Sequence, residues 1–213
     1  MTANARSPHH WSSPRPIWVL SLLVVLALVA CDQSEKEIVD RLNMAVAALN
    51  DHNYSNARRH LNKAYEMGEL GATDADVNYF LGFVLLREGK VEQARDHLLT
   101  AVARDPSRAD AHLHLARAYE KLGQDREAVA ALKGLFAVDR GHPNGHLIAA
   151  RVAKRAGDRD SQDTALRAAI AGDPGFAPAY LMLSRLYRGI GAYKEAVTVL
   201  NEGLRFVPDD ITL

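Results

Sequence analysis

The chain has 213 residues with 26 Lys or Arg, 26 Asp or Glu, 48% hydrophobic residues, 24% charged residues and a single cysteine. That balance excludes a disordered or collagen-like chain and a protein of many membrane spans, and a formal net charge of zero gives no sign of a nucleic-acid binder. One cysteine excludes a disulfide scaffold and any Cys-rich zinc module, and the length suits one or two domains or an elongated array.

The first thirty residues read as an address. Residues 1–30 carry no acid, Arg6 and Arg15 make the start positive, and Ile17 to Ala30 is apolar except for Ser21. As a helix this stretch would span roughly 21 Å, against ~30 Å for a bilayer core. A cleavable secretory signal is therefore predicted over residues 1–30 (n-region 1–16, h-region 17–30), the alternative being a short membrane anchor. The ending Leu28-Val29-Ala30-Cys31 resembles the bacterial lipobox. That resemblance implies cleavage before Cys31, which then carries a diacylglyceryl group and usually a further acyl chain, enough for stable anchoring. Asp32 resembles the inner-membrane retention signal of enteric bacteria, which favours the inner over the outer membrane. Removing residues 1–30 takes away two arginines and no acid, leaving 24 basic against 26 acidic groups. Residues 31–37 are expected to be a short tether.

The remainder of the chain is a repeat. Gly89, Gly123, Gly157 and Gly191 are 34 residues apart, and Leu98, Leu132, Leu166 and Leu200 keep the same spacing. Pro106, Pro174 and Pro208 share the grid with Arg140 in the fourth place, as do Ala94, Ala128 and Ala196 with Gln162 as the exception. Units start near Ala75, Ala109, Pro143 and Ala177. An earlier, more divergent one starts near Ile38 and joins the grid through three extra residues around Gly68–Thr73. Each glycine is expected to end a first helix in the left-handed region, and the residue before each proline to end a second helix.

These columns resemble the tetratricopeptide repeat, a helix–turn–helix unit with the pattern W-x2-L-G-x2-Y…A-x3-F…P. One unit reads Asn78-x2-Leu81-Gly82-x2-Leu85…Ala94-x3-Leu98…Pro106, and the last reads Tyr180-x2-Leu183-Ser184-x2-Tyr187…Ala196-x3-Leu200…Pro208. The resemblance covers 38–210, leaving 211–213 as a C-terminal end. It implies an all-α, right-handed solenoid of about five units and ten helices with a concave inner face. No unit buries its own apolar face, so neighbours must stack.

No catalytic constellation is present: no G-x-G-x-x-G, Walker loop or G-x-S-x-G elbow. Among nine histidines, His112 and His114 point to different faces of a helix, and His142 with His146 lacks a nearby carboxylate to complete a zinc set. Neither enzyme activity, nor a metal, nor a cofactor other than the lipid on Cys31 is expected.

In this family one stripe of each first helix lines the groove. That places Tyr79, Phe83, Leu86 and Arg87 in the N-terminal half, and Arg117, Lys121, Arg151, Lys154, Arg155, Arg185 and Arg188 in the C-terminal half. No acid lies between Asn144 and Arg155, or between Ala177 and Ile190, so the C-terminal half of the groove is expected to be basic and to attract an acidic or extended segment. The expected function is that of a lipid-anchored, periplasm-facing adaptor for another envelope protein, of the kind that assembles secretion, pilus or exopolysaccharide-export machines. The alternative is a carrier of anionic polysaccharide on the ladder Arg117, Arg151, Arg155 and Arg185. After Pro208 only five residues remain, so the last helix, with Leu200, Leu204 and Phe206, is expected to need a covering partner or a second copy.

Overall fold

The structure, a computed structural model, describes the backbone of residues 17–207 and the side chains of residues 32–207. The n-region, the Cys31 side chain, Pro208 and the end at 211–213 lie outside the described residues. Eleven helices make up the described part. These are α1 (Ile17–Asn50), α2 (Tyr54–Tyr65), α3 (Gly68–Thr73), α4 (Ala75–Arg87), α5 (Val91–Arg104), α6 (Ala109–Lys121), α7 (Asp125–Val138), α8 (Pro143–Ala156), α9 (Arg159–Gly172), α10 (Ala177–Gly189) and α11 (Tyr193–Phe206). They pair as α1/α2, α4/α5, α6/α7, α8/α9 and α10/α11, and each pair stacks on the next. The array is thus an α-solenoid of five units. The eleventh helix corrects the expected ten: the three extra residues before Ala75 let one short turn of helix, α3, form between the first two units. Helix α1 also runs unbroken through residues 31–37, so the stretch expected as a tether continues the helix.

Local chemistry sets the boundaries. Asp74 and Asp158 accept the N–H groups of Val77 (2.8 Å) and Ser161 (3.0 Å), satisfying donors that a helix start leaves free. Pro143 opens α8, where its missing N–H costs nothing. Asp105, Asp139 and Asp173 end three second helices, and each carboxylate folds onto the N–H two residues on. The four grid glycines all sit at φ +71° to +79°. In each case the N–H of the next residue reaches back to the carbonyl five before it, as Lys90 does to Leu85 (2.9 Å).

The first unit uses the same closure, Asn53 N–H to Ala48 O at 2.8 Å. Its left-handed residue is His52, at φ +56°, the one non-glycine with positive φ among the described residues. His52 stands one period plus the three extra residues before Gly89. A Cβ in this region is costly, so His52→Gly is expected to stabilise the chain by about 0.5–1 kcal/mol. A urea midpoint that stays put or falls would contradict this.

A second recurring bond ties each unit to the turn before it. Asn78 Nδ2, His112 Nε2, His146 Nε2 and the Tyr180 hydroxyl donate to the carbonyls of Ala72, Pro106, Arg140 and Pro174, at 2.9, 3.0, 2.9 and 3.1 Å. Donors and acceptors both keep the period of 34. His112 and His146 are thereby placed as packing residues: His112 is buried against Gly134, where a Cβ would strike its ring, and His146 stacks on Phe136 at 4.3 Å.

The alanine and leucine columns form the core. Ala94, Ala128, Leu98 and Leu166 are fully buried, and Gln162, the exception in its column, is buried too. At the small position of the second unit, a Cβ on Gly82 would lie 2.5 Å from Leu98 Cγ. The buried side chains fall into three clusters centred on the first two, the middle and the last two units.

Candidate functional site

First helices pack along one face, α4 on α6 and α6 on α8, and that face opens into two hollows. The larger, about 1140 Å³, lies in the C-terminal half between α8, the start of α9 and α10. Arg151, Lys154, Arg155, Arg159 and Arg185 supply its cations, Glu120, Asp158 and Asp160 its acids, and Met182, Leu186 and Ile190 its apolar side. The smaller, about 260 Å³, lies between α4 and α6 and is lined by Phe83, Leu86, Arg87, His114, Arg117 and Lys121.

Most of the residues expected on the groove are found in one of these hollows. The exceptions have physical causes. Tyr79 lines neither: its ring packs under the Arg108 guanidinium (4.8 Å) and against Phe80 (4.9 Å), and burial, then Asp110, pushes its hydroxyl up to about 12. Leu86 touches the smaller hollow but is only 8% exposed, its side chain being part of the middle core cluster. Arg188 is exposed and lines neither hollow.

The larger correction concerns charge. Helix α8 carries no acid, yet the preceding unit supplies two. Arg151 holds Glu120 through both prongs of its guanidinium, Nε to Oε1 at 2.5 Å and Nη2 to Oε2 at 2.7 Å. Arg155 holds Asp125, with Nε to Oδ1 at 3.1 Å, and its other end stands 3.8 Å from Glu120. A two-pronged pair with a carboxylate that is 11% exposed is a fixed structural contact between units rather than a free charge. The groove is therefore cationic through Arg87, Arg117, Lys121, Lys154, Arg159 and Arg185, not through an unbroken ladder.

The expected stripe left out His114 and Arg159, and with them the apolar Met182, Leu186 and Ile190 and the acids Asp158 and Asp160 of the larger hollow. His114 faces the smaller hollow, its ring 5.2 Å from Phe83. Burial, with Arg117 next, lowers it to about 4, so it is neutral at pH 7. It shares α6 with His112, but the two rings point to different faces, His112 being buried and His114 half-buried. Arg159 escapes the sequence pattern because it opens a second helix, whereas the stripe belongs to first helices alone. At the far end of the array, Tyr193 and Val197 are more than half exposed and share one face of α11 with the half-buried Leu200 and Leu204, so α11 presents an apolar outer face. Among the described residues no group of three or more His, Cys, Asp or Glu converges as a metal set, and no helix is long and apolar enough to cross a membrane.

A family model for the tetratricopeptide repeat matches residues 85–152 and 164–213. No curated protein matches the sequence. Solved structures are similar in fold. MamA protein is 20% identical with a TM-score of 0.70, covering 84% of this chain and 98% of its own. TTC0263, a tetratricopeptide repeat protein of Thermus thermophilus, is 24% identical with a TM-score of 0.63, covering 82% and 93%. YrrB, described as a tetratricopeptide repeat protein with an unusual peptide-binding site, is 19% identical with a TM-score of 0.65, covering 87% and 95%.

Proposed function

Since this chain belongs to the tetratricopeptide repeat family, whose members bind peptides or other proteins and are generally non-catalytic scaffolds, we propose that it is a lipid-anchored adaptor of a bacterial envelope whose inner cleft takes an extended segment of another envelope protein. The observation that carries this reading is the cleft of about 1140 Å³ with Met182, Leu186 and Ile190 on one side and the cations Lys154 and Arg185 on another. An apolar floor with a cationic rim suits a segment that alternates apolar and acidic side chains. The rim steers and orients it, and the floor supplies most of the affinity. The fold likeness to YrrB supports a peptide as the occupant.

The anchor rests on Leu28-Val29-Ala30-Cys31, and inner-membrane retention on Asp32. The polysaccharide alternative is weakened by the same geometry. Two rungs of its ladder, Arg151 and Arg155, are already held by Glu120 and Asp125, and a polyanion gains nothing from an apolar floor.

One experiment tests both parts: crosslinking and pull-down of the full chain in its native membranes, beside Lys154→Glu/Arg185→Glu and Cys31→Ser. Neither Lys154 nor Arg185 forms an ion pair among the described residues, so the double variant should fold normally. Its recovery of the captured envelope protein is expected to fall at least tenfold, because each reversal places like charge on the rim. Undiminished capture would move the binding site off this cleft, with the apolar face of α11 as the next place to look. Cys31→Ser is expected to lose fatty-acid labelling and membrane retention, and persistent labelling would refute the anchor.

A further inference from the structure

The smaller hollow has a chemistry of its own. Three cations converge on about 260 Å³, Arg87 from α4 and Arg117 and Lys121 from α6, and no acid lines it. None of the three forms an ion pair within 4 Å among the described residues. The carboxylates beside them in the chain are committed elsewhere: Glu120 is gripped by Arg151, and Glu88 by Arg58 and Lys90. Arg117 is half-buried, and burial followed by Arg151 disfavours its charge, with only partial relief from Glu120. Arg87 leans over the Phe83 ring at 5.4 Å and the Tyr54 ring at 6.0 Å, which holds the guanidinium at the mouth. The buried Nδ1 of His114 has no hydrogen-bond partner.

Like charges gathered in a partly dry pocket are unfavourable unless something compensates them. Here the protein supplies only the partial relief of Glu120, which Arg151 already holds, and the ring faces under Arg87. We propose that the hollow between α4 and α6 is an oxyanion site for a doubly charged group of the phosphate class, with Arg87, Arg117 and Lys121 on its oxygens and Phe83 and His114 against its substituent. A dianion meets three cations better than a single carboxylate does, and guanidinium forks fit a tetrahedral oxyanion with paired bonds. The site is separate from the C-terminal cleft and does not depend on what that cleft binds.

The test follows the His114 ring proton signals of the full chain in detergent at pH 7.5, titrated with inorganic phosphate at constant ionic strength. The expected result is a saturable shift, a dissociation constant at least tenfold weaker in Arg117→Gln, and no change in Arg185→Gln. Acetate at equal ionic strength should leave the signals unmoved. If Arg117→Gln does not fold, Arg87→Gln/Lys121→Gln, altering two exposed side chains, takes its place. Phenyl phosphate binding more tightly than phosphate would point to an esterified phosphate as the natural occupant, and equal affinities to the free ion. The proposal is overturned by a shift that does not saturate, by an unchanged constant in the cation variants, or by acetate acting as phosphate does.

Discussion

Leu98→Ala is expected to destabilise the chain by about 3 kcal/mol, within the range of about 2–5 kcal/mol for emptying a fully buried leucine site. Leu98 has no exposure at all and belongs to the middle core cluster. Its neighbour makes the prediction sharper. A Cβ on Gly82 would lie 2.5 Å from Leu98 Cγ and 2.9 Å from Cδ2, so Gly82→Ala alone should also be destabilising. In the Leu98→Ala background those two atoms are gone, and the nearest remaining neighbour is the Ala94 carbonyl oxygen at 3.1 Å. The added methyl then enters space the leucine vacated. The double variant should therefore be more stable than the two single losses added together predict, with a coupling of about 1 kcal/mol or more. Urea denaturation of the four proteins measures it. Strict additivity would mean that the two helices do not meet at this point.

Gly172→Ala is the second large effect, and it arises from backbone against backbone. Gly172 ends α9, and a Cβ there would fall on the carbonyl oxygen of Gly141, in the turn that leads into α8, and 3.0 Å from its carbonyl carbon. No flexible side chain can give way, so the two ends of the fourth unit must part. A cost of about 2–3 kcal/mol is expected, at the upper end of overpacking. Because each unit touches only its neighbours, the damage should stay local. Hydrogen exchange is expected to quicken across α8–α11, where Tyr180 grips the Pro174 carbonyl, and to remain slow in α4 and α5. Uniform quickening along the chain would show that the array unfolds as one piece instead.

These two glycine contacts mark the boundary of what the sequence discloses. The columns at Gly89, Leu98 and Pro106 recur because the same backbone closure and the same helix contact recur, and a period is visible without a structure. Gly141 and Gly172 meet once, in one unit, and each looks alone like an ordinary helix-end glycine. The recurring side-chain-to-carbonyl bond is hidden for the opposite reason. It repeats in geometry but is made by Asn78, His112, His146 and Tyr180, which share reach and a donor rather than an identity. In the groove, the cations of α8 are legible and their neutralisation is not. Glu120 and Asp125 lie 31 and 30 residues before their partners, far outside the spacing of three or four at which a helix reveals its own pairs. Leu86 shows the reverse error, since its place on the inner stripe does not reveal that the next unit buries it.

The unbroken course of α1 from Ile17 to Asn50 has a consequence for aim. A helix with no joint transmits rotation, so whatever fixes the chain near residue 31 also fixes the compass bearing of every later hollow. Each residue added between that point and Ile38 would turn the whole array by about 100° and lift it by about 1.5 Å. The count of residues in this short stretch is then a setting of direction, and a linker of the same length made of glycine and serine would leave the array to point anywhere.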